Sequence, residues 1–371
     1  MPSLTTLRVL EVVQSLEKGG RTTRFTDTVS GLRARKITVL PLCLSQPVDW
    51  VDIGDLHIIE RKQGFNFHLI LKIRTLIKTH KINLVHAHCE LSQLYAGIAS
   101  FTCNTKVVGT FHRSDLARYQ PSLVNRLIGF FVHKYVTVSH DRLSLLTENL
   151  NLPLKKCHVV HGGTAIKVSP SAELITLTRH ELTIPNNQIT LLSVGHLGHI
   201  KGHQDTITAL FSLKNEALPT NIHLYIAGDG SSAEKQKLED QIRQLKLENN
   251  VTLLGQISNV FQWLIACDIF VQPSIEEAFG LVFIEAGAQA KPVVATRVGG
   301  IKEIILHEET GYLVAPESPK ELAQALQRLI CSPELRVTLG EQAYLRIQEK
   351  FSISTMINHY LTIFTQTVAP I

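Results

Sequence analysis

The stretch EEAFGLVFIEAGAQAKPVVATRVGG, residues 276–300, places Glu277 and Glu285 eight positions apart around a Phe-Gly step and closes on a glycine pair. It follows an apolar run, IFVQPS (269–274), and contains a second, KPVVAT (291–296). Strand, helix, strand over so short a distance is the repeating unit of a parallel sheet. LVFIEAGAQA (281–290) reads as the helix, starting near Gly280, so Glu277 falls in the loop before it and Glu285 one to two turns inside. Among Leu281, Val282, Phe283, Ile284 and Ala286 an unpaired carboxylate would be costly, which predicts a hydroxyl or N–H partner for Glu285. Free backbone N–H groups near Gly280 and Leu281 make an anion site at the helix start. Carboxylates on either side of such a site suit the hydroxyls of two sugars flanking a diphosphate. The plain alternative is two glutamates in water.

Working outward, the same alternation fills the chain. Before residue 165 it shows RVLEVV (8–13), a helix after Gly19 and Gly20, ITVLPL (37–42), a helix near 66–79, INLVHAH (82–88), KVVGTFH (106–112), YVTVS (135–139) and CHVVHGG (157–163). A polar, proline-bearing stretch interrupts it at 164–188, and ITLLSVG (189–195), IHLYIAGDG (222–230) and NVTLLG (250–255) resume it. The expected fold class is α/β, with two Rossmann-like, doubly wound parallel-sheet domains facing across a cleft. The boundaries read as 1–165, a linker at 166–188, a second domain at 189–350, and a C-terminal helix at 351–371 that returns to the first domain. A chain of 371 residues exceeds what one core usually supports, which agrees.

Composition narrows the function. Hydrophobic residues at 44% and charged residues at 19% describe a globular protein, and the longest apolar stretches, such as LIGFFV (127–132), are too short to cross a bilayer. The opening residues carry no basic leader with an apolar run and cleavage site, so the expected location is cytoplasmic. Six scattered cysteines without a CxxC pair fit packed thiols. Residues 1–165 hold 21 Lys and Arg against 11 Asp and Glu, and residues 166–371 hold 16 against 21. A basic first half facing an acidic partner, such as a phosphorylated acceptor or the inner face of an anionic membrane, stands beside a merely solvated basic surface. Short basic clusters without interleaved aromatics point away from nucleic acid. RYQPSLVNRLIGFFVHKY (118–135) reads as a helix packed under the first sheet, with membrane docking as the alternative.

The companion stretch SVGHLGHIKGH (193–203) ends a strand at Gly195 and offers Lys201 to neutralise a leaving phosphate. With E-x-F-G-x-x-x-x-E at Glu277 to Glu285, KPVVATRVGGIKEII and TGYLVAP (310–316), the chain resembles the GT-B fold retaining glycosyltransferases of family 4. LEKGG, NLVHAH, GTFH, TVSHD and IAGDG extend the likeness over most of the sequence. The resemblance implies transfer of a hexose or amino-hexose from a nucleoside diphosphate sugar, UDP-linked by first choice, to a glycan or lipid-linked acceptor in cell-envelope polysaccharide or lipopolysaccharide synthesis. It assigns Glu277 to donor-sugar hydroxyls, Glu285 to the ribose, and Phe279, Gly280, Leu281 and Val282 to the diphosphate, with Lys201, Gly19 and Gly20 assisting. His112 would lie beside the transferred sugar, and residues from Leu254 to Ile257 would receive the base.

Two departures matter. The family's Gly-Arg-Leu is Gly195-His196-Leu197 here, and histidine lacks arginine's permanent charge and two-pronged grip, so reduced or pH-dependent activity is expected. VVHGG (159–163) stands where the family has an asparagine before one glycine. His196, His199 and His203 have a metal-like spacing, but Gly198 and Gly202 argue for a loop, and no D-x-D carboxylates accompany His86 and His88; no metal and no further cofactor are expected. The remaining alternatives are a sugar-nucleotide-binding protein without catalysis, a membrane-bound scaffold, and an NAD-dependent oxidoreductase, the last weakened by a G-x-G at 228–230 without its third glycine.

Overall fold

A computed structural model describes residues 7–17, 19–47, 53–112, 120, 122–214 and 221–369. The chain divides into two compact units, Met1–Gly163 with Ser352–Ile371, and Thr164–Phe351. In the first, β1 (Arg8–Val13), β2 (Thr38–Cys43), β3 (His57–Ile58), β4 (Leu84–His88), β5 (Lys106–Phe111), β6 (Lys134–Thr137) and β7 (Cys157–Val159) form one parallel sheet in the order β3-β2-β1-β4-β5-β6-β7. Apolar strands such as Val9, Leu10, Val12 and Val13 of β1 are buried on both faces, as a covered parallel sheet requires. The covering helices are α1 (Gly20–Ala34), α2 (Phe67–Thr79), α3 (Glu90–Phe101), α4 (Leu123–Phe131) and α5 (His140–Glu148). Asn66, Ser122 and Ser139 cap the starts of α2, α4 and α5 by accepting a backbone N–H.

The helix expected under the first sheet differs. Arg118, Tyr119 and Pro121 lie outside the described residues, and α4 buries only Ile128 of its own length. Leu123, Leu127 and Phe130 are exposed. The reason is that α4 packs on α3 rather than across the sheet: Gly97 leaves room for Phe131, and Phe101 meets the rings of Phe130 and Phe131 at 5.7 Å.

The second unit begins earlier than its strands do. The segment 166–188, expected as a linker, carries α6 (Ala172–Glu181) and is built into the unit. Buried Arg179 donates to Asp268 (3.1 Å) and to the carbonyls of Ala266, Pro185 and Gln188, while Asp268 also accepts from the Thr190 N–H at 2.7 Å. Its sheet, all parallel, runs β10-β9-β8-β11-β12-β13, from β8 (Gln188–Val194), β9 (Asn221–Ala227), β10 (Val251–Gly255), β11 (Ile269–Gln272), β12 (Val293–Thr296) and β13 (Gly311–Val314). Helices α7 (His203–Lys214), α8 (Ser232–Gln244), α9 (Val260–Ala266), α10 (Leu281–Gly287), α11 (Ile301–Ile304), α12 (Pro319–Cys331) and α13 (Pro333–Lys350) complete it. The last helix, α14 (Ile353–Val368), belongs to the first unit, where Met356, Ile357, Tyr360 and Phe364 are buried with Phe25 and Val29 of α1.

Strand order reverses between β1 and β4 in one unit and between β8 and β11 in the other. Parallel α/β sheets bind ligands beyond the carboxyl ends of their strands at such switch points.

Candidate functional site

In the second unit the switch point gathers the motif residues. Gly195 follows β8, and the stem of Lys201 crosses it, with Cγ about 3.3 Å from where a Cβ would stand. Lys201 Nζ donates to Glu277 Oε2 at 2.6 Å, so two residues 76 positions apart form one ion pair. The lysine backbone is held from behind: Gln272 at the end of β11 donates to the Lys201 carbonyl (2.6 Å) and accepts from the Val194 N–H (3.1 Å) and the Ser193 hydroxyl (3.0 Å). Glu277 is held by the glycine pair that ends the opening stretch. Gly300 N donates to the Glu277 carbonyl at 3.3 Å, and Gly299, at φ +49°, approaches that same carbonyl so closely that a Cβ would fall 1.7 Å from its oxygen. Only glycine fits there.

Gly280 opens α10, and its carbonyl accepts from the Phe283 N–H at 3.1 Å. Phe279 is buried with its ring 5.9 Å from Phe351, while Leu281 and Val282 are partly exposed. Glu285, expected to be buried inside the helix, is half-buried, because α10 turns that side out between buried Ile284 and Ala286. Leu254, near the end of β10, is partly exposed beside a register shift between Leu253 and Gly255.

His196 makes its contacts elsewhere than with Lys201 or Glu277. Its ring is largely exposed, Nδ1 accepts from the Gly198 N–H at 3.0 Å, and Nε2 lies 4.0 Å from Glu234. His203, by contrast, is buried, bonded to Ser193 and to the His196 carbonyl, and burial pushes its pKa down to about 4. Among the described residues His196, His199 and His203 do not gather as a ligand set.

The first unit holds a second constellation at its own switch point. Gly19 precedes α1 and Gly20 begins it, and the next residue, Arg21, donates to Ser15 at 2.8 Å and contacts the Cys89 sulfur at 3.7 Å. A row of histidines follows. His86 and His88 of β4 both bond the wholly buried Glu11 of β1, at 3.0 and 2.9 Å, and His88 Nδ1 lies 2.7 Å from Nε2 of His112 at the end of β5. The two strand histidines therefore do have a carboxylate, supplied across the sheet by the register that pairs Glu11 with His86. Three ligand atoms of Glu11, His86 and His88 lie within 4.8 Å of one another, a spacing that a metal would accept and that hydrogen bonds already use. Burial drives His86 to about 3, His88 to about 4 and His112 well below the ordinary histidine value; it raises Glu11, against the pull of His88. Sequence reading missed Glu11, Arg21 and Gln272. An acid within the apolar run RVLEVV was the available signal for the first.

Two all-parallel Rossmann-like units, each with a glycine turn and polar side chains at its switch point, define the GT-B class of protein. Comparison with known proteins places the chain within it. The model described as "Glycosyl transferases group 1" matches residues 175–346, and that described as "Glycosyltransferase Family 4" matches residues 18–167. The chain belongs to the family 4 glycosyltransferases of GT-B fold. It is 27% identical over 307 residues, 81% of this chain and 79% of the relative, to N-acetyl-alpha-D-glucosaminyl L-malate synthase of Bacillus anthracis. It is 32% identical over 188 residues, 48% of this chain and 45% of the relative, to D-inositol 3-phosphate glycosyltransferase of Pseudarthrobacter chlorophenolicus. In fold it is similar to Anabaena HepE, solved in complex with UDP, at a TM-score of 0.85 and 22% identity over 97% of this chain and all of that one.

Proposed function

We propose that this glycosyltransferase moves a hexose or amino-hexose from a UDP-sugar to a glycan or lipid-linked acceptor of cell-envelope polysaccharide or lipopolysaccharide synthesis, with retention at the anomeric carbon and without a metal ion. The observation that carries the donor assignment is the Lys201–Glu277 pair at the β8/β11 switch point, 2.6 Å apart. Unliganded, each neutralises the other. With a donor bound, the ammonium turns to the leaving diphosphate, where charge develops, and the carboxylate is released to sugar hydroxyls. Stabilising the leaving group in this way is the principal catalytic contribution. Glu285, half-exposed one turn into α10, is assigned to the ribose, and the backbone from Phe279 to Val282 to the diphosphate. The uridine choice is supported by the UDP complex of the Anabaena protein.

A lipid-linked acceptor fits the first unit. Exposed Phe101, Leu127 and Phe130 adjoin Arg126 and Lys134, and the segments 101–112 and 122–135 contain no acidic residue. Such a surface attracts anionic headgroups and inserts rings at the interface. No helix among the described residues is long and apolar enough to span a membrane, so this contact is peripheral.

Turnover of UDP-, GDP- and ADP-sugars, followed by release of the nucleoside diphosphate in EDTA, tests the reaction. UDP release with an α-linked product from an α-linked donor is expected. Release only after a divalent ion is added, or an inverted product, would refute the mechanism. Sedimentation with vesicles of anionic lipid, set against neutral lipid and a Phe130→Ser variant, tests the membrane contact.

A further inference from the structure

In the second unit, the backbone segments that carry Glu277 and open α10 are both held from the end of α13. That helix ends at Lys350, with Arg346 in its last turn and a half and Phe351 as its C-cap. Arg346 Nε donates to the Ile304 carbonyl and Nη2 to the Glu303 carbonyl, each at 2.7 Å. These are the last two residues of α11, where helical carbonyls lack an N–H of their own helix and collect partial negative charge. Helix α11 starts directly after Gly299 and Gly300, the pair that presses on the Glu277 carbonyl. The guanidinium therefore fixes the far end of the segment that holds Glu277.

Its flat face has a second use. Arg346 Cζ stands 5.7 Å over the Phe351 ring, a cation–π distance, and the Phe351 ring meets that of Phe279 at 5.9 Å. Both phenylalanines are buried, at 2% and 4% exposure. Phe279 immediately precedes Gly280, the N-cap of α10, so its ring anchors the backbone that opens this helix. At the other end of α10, Ile347 packs on Gly287 so closely that a Cβ there would meet its Cγ1 at 2.7 Å. Lysine could not replace Arg346 in full, because a single ammonium offers no planar fork for two carbonyls and no flat face for a ring.

A donor carries its sugar hydroxyls and its diphosphate on one molecule, so the groups that receive them must keep a fixed separation; an error of about 1 Å is costly. We infer that Arg346 is a positioning residue for donor binding: holding the end of α11 and, through Phe351, the Phe279 ring, it sets the spacing between the Glu277 carboxylate and the backbone that opens α10. The donor enters through the UDP-sugar reading above, whereas the brace itself does not depend on it.

Hydrogen exchange reads the brace without a ligand. In Arg346→Met, which keeps an apolar stem and loses the fork, amides of 278–283 and 299–303 should exchange at least about tenfold faster, while those of β9 in the same unit keep their wild-type rates. Unchanged rates in the two segments would overturn the inference, as would equal acceleration in β9, the sign of a unit that is merely less stable. Should Arg346→Met not fold, Phe351→Leu should speed 278–283 and leave 299–303 as they are, and acceleration of neither would overturn it. UDP titrated into the folded variants should bind about five- to tenfold more weakly in Arg346→Met, with part of the affinity restored in Arg346→Lys. In turnover of UDP-glucose the donor KM should rise by a similar factor, with kcat changed less because Lys201 is untouched. A lowered Tm with wild-type Kd and KM would overturn the positioning role. A wild type that binds no UDP would overturn the donor half together with the reading it rests on, and the exchange rates would still decide the brace.

Discussion

Replacing Gly299 by alanine should move the loop that carries Glu277. Gly299 sits at φ +49°, where a side chain costs about 1–2 kcal/mol by itself. Its Cβ would also fall 1.7 Å from the Glu277 carbonyl oxygen, so backbone must separate from backbone by more than an ångström. Such overpacking adds about 1–3 kcal/mol, for a sum of roughly 2–5 kcal/mol. In a unit of this size each kcal/mol lowers Tm by about 2–4 °C, so the second unit should melt roughly 4–20 °C early. Gly255→Ala separates the two contributions, because Gly255 has φ +67° with nothing within 4 Å of its Cβ; it should lose only about 1–2 kcal/mol. Calorimetric melting of both variants, with UDP titrated into each, is the assay. Since the displaced carbonyl belongs to Glu277, Gly299→Ala should also weaken donor binding. Equal Tm losses in the two variants with unaltered donor binding would refute the claim that the glycine pair holds Glu277 in place.

Lys201→Met removes the cation opposite Glu277 and should lower kcat roughly a hundred- to a thousandfold, measured by UDP release; adding Glu277→Gln should recover stability without recovering turnover. Folded His203 lies near 4 against 6.5 in the open chain, so the unfolded state takes up its proton first. Stability held above pH 6.5 should therefore fall by roughly 3 kcal/mol as pH drops toward 4, read from urea midpoints of the second unit, and His203→Gln should remove that slope. Burial pushes the thiols of Cys157 and Cys267 up to about 11 and 12, so at pH 8 a thiol reagent should label exposed Cys331 first and reach Cys157 and Cys267 only on unfolding, as mass mapping of the modified peptides will show.

Strands were legible because apolar runs buried on both faces have no other home: RVLEVV is β1 residue for residue, and the runs at 82–88 and 189–195 differ from β4 and β8 by one or two positions. The two-residue β3 was not, since His57–Ile58 is too short to show a period. Polar composition and Pro170 and Pro185 made 164–188 look like a linker, but α6 is held by one arginine rather than by an apolar face, and hydropathy does not see hydrogen bonds. Within the site, Glu277 and Lys201 could be named separately from local motifs, whereas their pairing depends on the crossing from β8 to β11. Glu11 was invisible for a related reason. Its partners are 75 and 77 residues away, and only the β1–β4 register brings them beside it.

The central claim, that the β8/β11 switch point is a uridine diphosphate site, is tested most directly by calorimetric titration of UDP, GDP, ADP and NAD into the wild type and Glu285→Ala. UDP alone should bind the wild type, with affinity lowered at least about tenfold in Glu285→Ala, as the loss of a charged hydrogen bond requires. Binding of NAD without UDP, or UDP binding untouched by Glu285→Ala, would contradict it.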